Sequence, residues 1–147
     1  MAIRFSVQDI DFELQKEENV KKWLSEVIKR RGKRVGNISY LFCGDNHMLE
    51  VNRRYLNHDT YTDIITFDYV AADLISGDIL ISVERVGENA QKFGVPVEQE
   101  LHRVIVHGVL HLLGQGDKSD AEAKEMRRQE EESLALWNMM FHGEQEC

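Results

Sequence analysis

The chain has 147 residues, 42% hydrophobic and 30% charged, a balance that suits one folded domain over residues 1–147 and excludes a disordered chain. Its formal net charge of −8 excludes a general nucleic-acid coat protein, though not a local basic patch. No run of about 18 apolar residues exists, and the opening MAIRFSVQDI lacks an apolar core behind a basic start, so neither a membrane span nor a signal peptide is expected.

Cys43 and Cys147 are the only cysteines. They form neither a metal-type pair nor a disulfide framework, which suits a reducing cytoplasm, and Cys43 reads as a buried small hydrophobe.

Ala2 to Val7 reads as a first strand. A helix is expected from Glu17 to Arg31, where Val20, Trp23, Leu24, Val27 and Ile28 form one apolar stripe and Gly32 stops it. Residues 21–34 carry seven cations (Lys21, Lys22, Lys29, Arg30, Arg31, Lys33 and Arg34) against the single Glu26. They suit either a solvated helix end that complements the dipole or a phosphate-contacting patch.

Asn37 to Cys43 alternates as a strand, and Gly44-Asp45-Asn46 is a turn leading into a helix from His47 to Leu56, packed through Met48, Leu49 and Leu56. Thr62 to Tyr69 and Gly77 to Val83 are β-rich, with residues 70–76 as a hairpin-like link. A helix follows from Glu84 to Phe93, its apolar set being Val86, Ala90 and Phe93, before Gly94. Pro96 suits the first turn of the next helix, Val97 to Leu113. Ser119-Asp120-Ala121-Glu122 matches a capping box opening the last helix, which runs to Met140. Its middle, Glu125 to Glu132, reads as a solvated face, with Leu134, Trp137 and Phe141 anchoring its end and residues 142–147 frayed. Strands early and helices gathered late give an α+β class: a small central sheet of about four strands with helices packed on it.

The chemistry gathers at one stretch. His107 and His111 stand four apart on a helix that is apolar almost all round, so both imidazoles share one face. A single histidine on such a helix is ordinarily a packed core residue. Two on one face cost free energy unless something satisfies them, and a divalent metal does. Gly114 and Gly116 turn the chain, and Asp117 can then return its carboxylate over the rings, with Asp120 as an alternative third ligand. Two imidazoles and a carboxylate leave a position open, as in a catalytic site. Such a site lowers the pKa of a metal-held water and permits hydrolysis of a phosphodiester, amide or ester. The general base stays open among that water, His102 and a substrate hydroxyl. His102 lies about 140° from His107 around the helix, which suits a surface or supporting residue rather than a ligand.

The spacing from His107 to Asp117 is similar to the elongated zinc motif of metalloproteases, so a metallopeptidase-like hydrolase is one reading. Those enzymes carry a Glu directly after the first His, and here that position is Gly108.

The string His107-Gly108-Val109-Leu110-His111-Leu112-Leu113-Gly114 more closely resembles the signature of the YbeY family of endoribonucleases, H-G-x-L-H-L-x-G-Y-D-H. Beyond it, Gln115 stands at the tyrosine position, Gly116 at the aspartate and Asp117 at the third histidine. Thr62 to Phe67 and Gly77 to Ile81 resemble two of the family's strands, with Tyr61 in place of a proline. Asn52, Tyr55 and Asp59 fit the segment before them. The family's arginine after that tyrosine is Leu56 here, which leaves Arg53 and Arg54 to supply charge, while His58 takes the place of a common basic residue.

The resemblance implies an α+β fold with a zincin-like metal helix and one zinc ion on His107, His111 and Asp117. It implies substrate contacts from Arg53, Arg54 and His58. The activity it implies is single-strand-specific cleavage of rRNA, in maturation of the 16S 3′ end and in ribosome quality control. The partners would be rRNA and the small ribosomal subunit in the cytoplasm, not DNA or a membrane. A non-catalytic ribosome-assembly factor with a structural zinc is the further alternative, which Leu56 favours.

Overall fold

The computed structural model describes residues 2–56 and 62–141. Four strands and five helices follow in the order β1 (Ile3–Val7), α1 (Glu17–Arg30), β2 (Arg34–Cys43), α2 (Asp45–Tyr55), β3 (Ile64–Asp68), β4 (Leu74–Ser82), α3 (Val83–Phe93), α4 (Val97–Leu112) and α5 (Asp120–Phe141). The class is α+β, as expected. The sheet order is β1-β2-β4-β3; β1, β2 and β4 run parallel, and β3 pairs antiparallel with β4 as the hairpin at one edge.

One face of the sheet carries the main core. Ile38, Tyr40 and Phe42 of β2 and Ile75, Ile79 and Ile81 of β4 alternate inwards and meet α1 and α4, on which α5 packs. The expected stripe of α1 is buried as a unit, with Trp23, Leu24 and Ile28 fully enclosed. Each such side chain contributes roughly 1.5–3 kcal/mol relative to exposure. Polar atoms taken into this core find partners: the Tyr40 hydroxyl donates to the Ile105 carbonyl at 2.7 Å, and the Trp23 indole to the Ser133 carbonyl at 2.8 Å. On the other face, Met48 and Val51 of α2 pack with Cys43, Ile65 and Leu80, and Leu41 and Phe67 lie partly buried against them.

The close seating of α4 on the sheet depends on Gly108. A Cβ there would lie 2.8 Å from Cδ1 of Ile79 and 3.2 Å from Cδ1 of Ile64. The helix ends where Gly114 takes φ 99°, and its amide bonds the His111 carbonyl at 2.9 Å.

Several boundaries and faces differ from the sequence expectations. β2 begins at Arg34 rather than Asn37, because the alternation is broken by a register shift between Val35 and Ile38. β4 begins at Leu74 rather than Gly77, and Val83 opens α3, with the Ser82 hydroxyl accepting from the Arg85 amide at 3.1 Å. Leu56 caps α2 and is 41% exposed instead of packing. Phe93 is likewise exposed, at the last helical position before the left-handed Gly94. Pro96 is the N-cap of α4, not part of its first turn, and its carbonyl accepts from Glu100 at 3.1 Å.

The capping box of α5 is reciprocal, Glu122 N–H to Ser119 Oγ at 3.1 Å and Ser119 N–H to Glu122 Oε1 at 3.2 Å. Its charged middle, however, is not wholly solvated: Gln129 and Glu130 are buried. Among the described residues no helix is long and apolar enough to cross a membrane.

Candidate metal centre

Helix α4 places His107 and His111 one turn apart, their ring centroids 4.6 Å from each other. After the Gly114 turn the loop folds back, and Oδ2 of Asp117 comes within 3.4 Å of Nε2 of both histidines. One ligand atom from each of the three lies within 4.8 Å of the others, so the group could hold one metal ion. Asp120 belongs instead to the first turn of α5.

The loop that carries Asp117 is tied to α5 by Gln115. Its amide nitrogen donates to the Gly116 carbonyl at 2.9 Å, and its amide oxygen accepts from Gln129 at 3.0 Å.

The residue that orients His107 comes from α5. Glu130 is 2% exposed, and its Oε2 lies 2.6 Å from Nδ1 of His107. Its Oε1 accepts from Arg103 at 2.9 Å, and Arg103 also bonds the buried Glu100. Burial pushes the Glu130 carboxyl up, but the hydrogen bonds from His107 and Arg103 outweigh it and hold the group below its ordinary 4.5. A charged Glu130 accepts only, so Nδ1 of His107 carries the proton and, in the neutral ring, Nε2 presents its lone pair to Asp117. A lone pair facing a carboxylate oxygen at 3.4 Å is repulsive unless a cation or proton stands between them. The donor set therefore fits a divalent ion, with Glu130 as the outer carboxylate that such histidines ordinarily require.

These residues open onto a cavity of about 810 Å³ between α4, β3 and the end of α2. Asn52, Thr62 and Asp63 supply polar wall, and among the described residues the cations on it are Arg103 and Lys118. Arg53 and Arg54 are exposed on α2 and do not line it; Arg54 sits 3.5 Å from Glu50. Leu56 does line it. His58 lies outside the described residues.

His102 is neither at the surface nor at this site. It is buried in the core, its ring 4.2 Å from Trp137 and 5.6 Å from Trp23 by centroid, which removes it as a candidate base.

Sequence reasoning missed Glu130. The signal lay in the apolar spacing of α5: Met126, Ser133 and Trp137 mark a buried stripe, and Glu130 falls on it between them.

Comparison with known proteins gives the family of the chain. Residues 3–138 match the family model described as Endoribonuclease YbeY. The chain belongs to the YbeY family. It is 53% identical over 131 residues to a Flavobacterium psychrophilum protein named Endoribonuclease YbeY, covering 89% of this chain and 94% of that one. A Bacteroides thetaiotaomicron protein of the same name is 45% identical over 136 residues, 92% of this chain and 99% of its own. The solution structure of TM1509 from Thermotoga maritima superposes with a TM-score of 0.68 at 26% identity, covering 97% of this chain and 93% of that one.

Within the YbeY family signature, the structure accounts for two departures in physical terms. Asp117, at the third histidine position, brings an oxygen within 3.4 Å of both rings, and Gln115, at the tyrosine position, holds the loop to α5. The Glu of a metalloprotease motif would have to occupy position 108, where even a Cβ meets Ile79 at 2.8 Å; a metallopeptidase has no base here.

Proposed function

We propose that this YbeY-family chain is a zinc-dependent endoribonuclease that cleaves single-stranded rRNA, acting on the 3′ end of the 16S precursor and in quality control of the small ribosomal subunit. The observation that carries the reading is the convergence of His107, His111 and Asp117 on the wall of the 810 Å³ cavity, with the Asp117 oxygen 3.4 Å from Nε2 of each ring. Two imidazole nitrogens and one carboxylate oxygen are a donor set that zinc takes in hydrolytic sites, which supports zinc as the ion.

The two rings and the Asp117 carboxylate would hold the ion. When bound, it would supply charge stabilisation to a phosphodiester and a more acidic water. Glu130 keeps the His107 proton on Nδ1, and Asn52, Thr62 and Lys118 are placed to seat the strand beside the site. The reading locates the protein in the cytoplasm, where subunits mature, with rRNA as partner and no role for DNA or a membrane.

The test is metal content and RNA cleavage on the same preparations: wild type, His111→Ala and Asp117→Ala. Near-stoichiometric zinc in the wild type, lost in both variants together with cleavage of a single-stranded substrate, is the expected result. Stoichiometric zinc with RNA binding but no cleavage under any metal would replace the enzyme by an assembly factor with a structural ion. Metal content indifferent to Asp117 would overturn the three-ligand site.

A further inference from the structure

The second face of the sheet is only half covered. Its inner end packs under α2, and among the described residues its outer end stays open. There Ser39 and Leu41 of β2, Asp78 and Leu80 of β4 and Phe67 of β3 floor a cavity of about 520 Å³. Two tyrosines border it, Tyr55 from the end of α2 and Tyr69 from just beyond β3, 64% and 58% exposed. The Tyr55 ring meets Phe67 edge-on at 6.3 Å. Asp78 of β4 lines the same cavity as Tyr69, at the far end of the sheet.

This aromatic cavity adjoins the metal cavity. β3 divides them, and by the alternation of a strand Ile64, Thr66 and Asp68 face the metal side while Phe67 faces the aromatic side. The end of α2 repeats the division, with Leu56 on one side and Tyr55 on the other. A strand of RNA leaving the metal site over this edge reaches three aromatic rings within a residue or two of protein.

We propose that the open end of the sheet is a stacking platform for the unpaired bases that flank the scissile phosphate, with Tyr55, Phe67 and Tyr69 as its rings. The proposal rests on the ribonuclease reading above. Stacking on aromatic faces is the sequence-tolerant way to hold single-stranded nucleic acid. It also answers a problem of charge. RNA-binding proteins ordinarily draw affinity from neutralising phosphates, which a chain of net charge −8 opposes. Stacking needs no excess of cations, and it selects single strands because paired bases do not offer their faces.

The test measures anisotropy of a labelled single-stranded RNA oligonucleotide on the zinc-loaded protein, beside an oligonucleotide of equal length with abasic spacers. The variants are Tyr55→Leu, Tyr69→Leu, the double variant, and Tyr55→Phe with Tyr69→Phe as the conservative pair. Each leucine should weaken binding roughly 10-fold, the phenylalanine pair should keep it, and KM should rise more than kcat falls. The abasic oligonucleotide should bind the wild type as weakly as the intact one binds the double leucine variant, at an unchanged salt slope. Leucine variants with wild-type affinity, or indifference to the abasic spacers, would overturn the platform while leaving the ribonuclease reading intact. A wild type that neither binds nor cleaves the intact oligonucleotide would overturn both.

Discussion

Oε2 of Glu130 lies 2.6 Å from Nδ1 of His107, although the two residues belong to different helices and only one of them can reach a metal. The contact decides which nitrogen of the ring keeps its proton. Glu130→Gln replaces a pure acceptor by an amide that also donates, so the ring is free to take the other tautomer. Zinc affinity in a chelator competition should fall about 10–100-fold, the usual cost of losing an outer carboxylate. Affinity within two-fold of wild type would show that Glu130 serves stability alone.

The same carboxylate sets an acid limit on stability. Its folded pKa is held below the ordinary 4.5, so the unfolded chain binds the proton more readily. The stabilisation is fully present above the ordinary value and is lost as pH falls from there through the folded pKa. Urea titrations of the metal-free protein should show a steeper loss below pH about 4.5 in the wild type than in Glu130→Gln. Parallel acid limbs would assign the loss to other carboxylates.

Gly108→Ala tests the seating of α4. Helix propensity favours alanine by up to about 1 kcal/mol. The added Cβ meets Ile79 at 2.8 Å, and Ile79 is fully buried and has nowhere to move. Overpacking of this kind costs roughly 1–3 kcal/mol, so the net effect is destabilisation. Ile79→Val removes the Cδ1 in question, and the double variant should recover part of the loss in a urea cycle. A stabilised Gly108→Ala would refute the close approach.

Removal of zinc should lower the melting temperature. At a free-metal concentration 100 times Kd the ion stabilises by about 2.7 kcal/mol, and a chain of this size shifts by roughly 2–4 °C per kcal/mol. A chelator should therefore lower Tm by several degrees in the wild type and leave His111→Ala unmoved. Equal shifts in both would place the metal elsewhere.

Gln115→Ala should loosen the Asp117 loop from α5. Losing the bond from Gln129 at 3.0 Å costs roughly 0.5–1.5 kcal/mol. Zinc binding should weaken by a few-fold, while Gln115→Tyr, the residue at the family's position, should keep it. Unchanged affinity in Gln115→Ala would show that Gly114 and Gly116 alone shape the loop.

What could be read from residue order was what recurs locally. His107 and His111 declare a shared face by spacing, the capping box of α5 by composition, and Gly114 the turn that returns Asp117. Position 102 misled because angular offset says where a side chain points around its own helix, not what packs there. Trp23 and Trp137, far away in the chain, enclose His102. Glu130 was hidden for the opposite reason: its neighbours Arg127, Arg128, Glu131 and Glu132 are exposed, and a charged run averages to a wet surface. Arg53 and Arg54 were singled out by charge near the expected segment, yet the helix turns Asn52 and Leu56 to the cavity instead.

The dependence of His107 on a residue 23 positions later has a consequence for the order of synthesis. A nascent chain that has delivered α4 to solution already carries both imidazoles and Asp117, but not the carboxylate that fixes the ring proton or the tryptophan on α5 that helps close the core. The centre is complete only once α5 has been made and docks on α4. A protein so built has its metal ligands before it has the group that aims them.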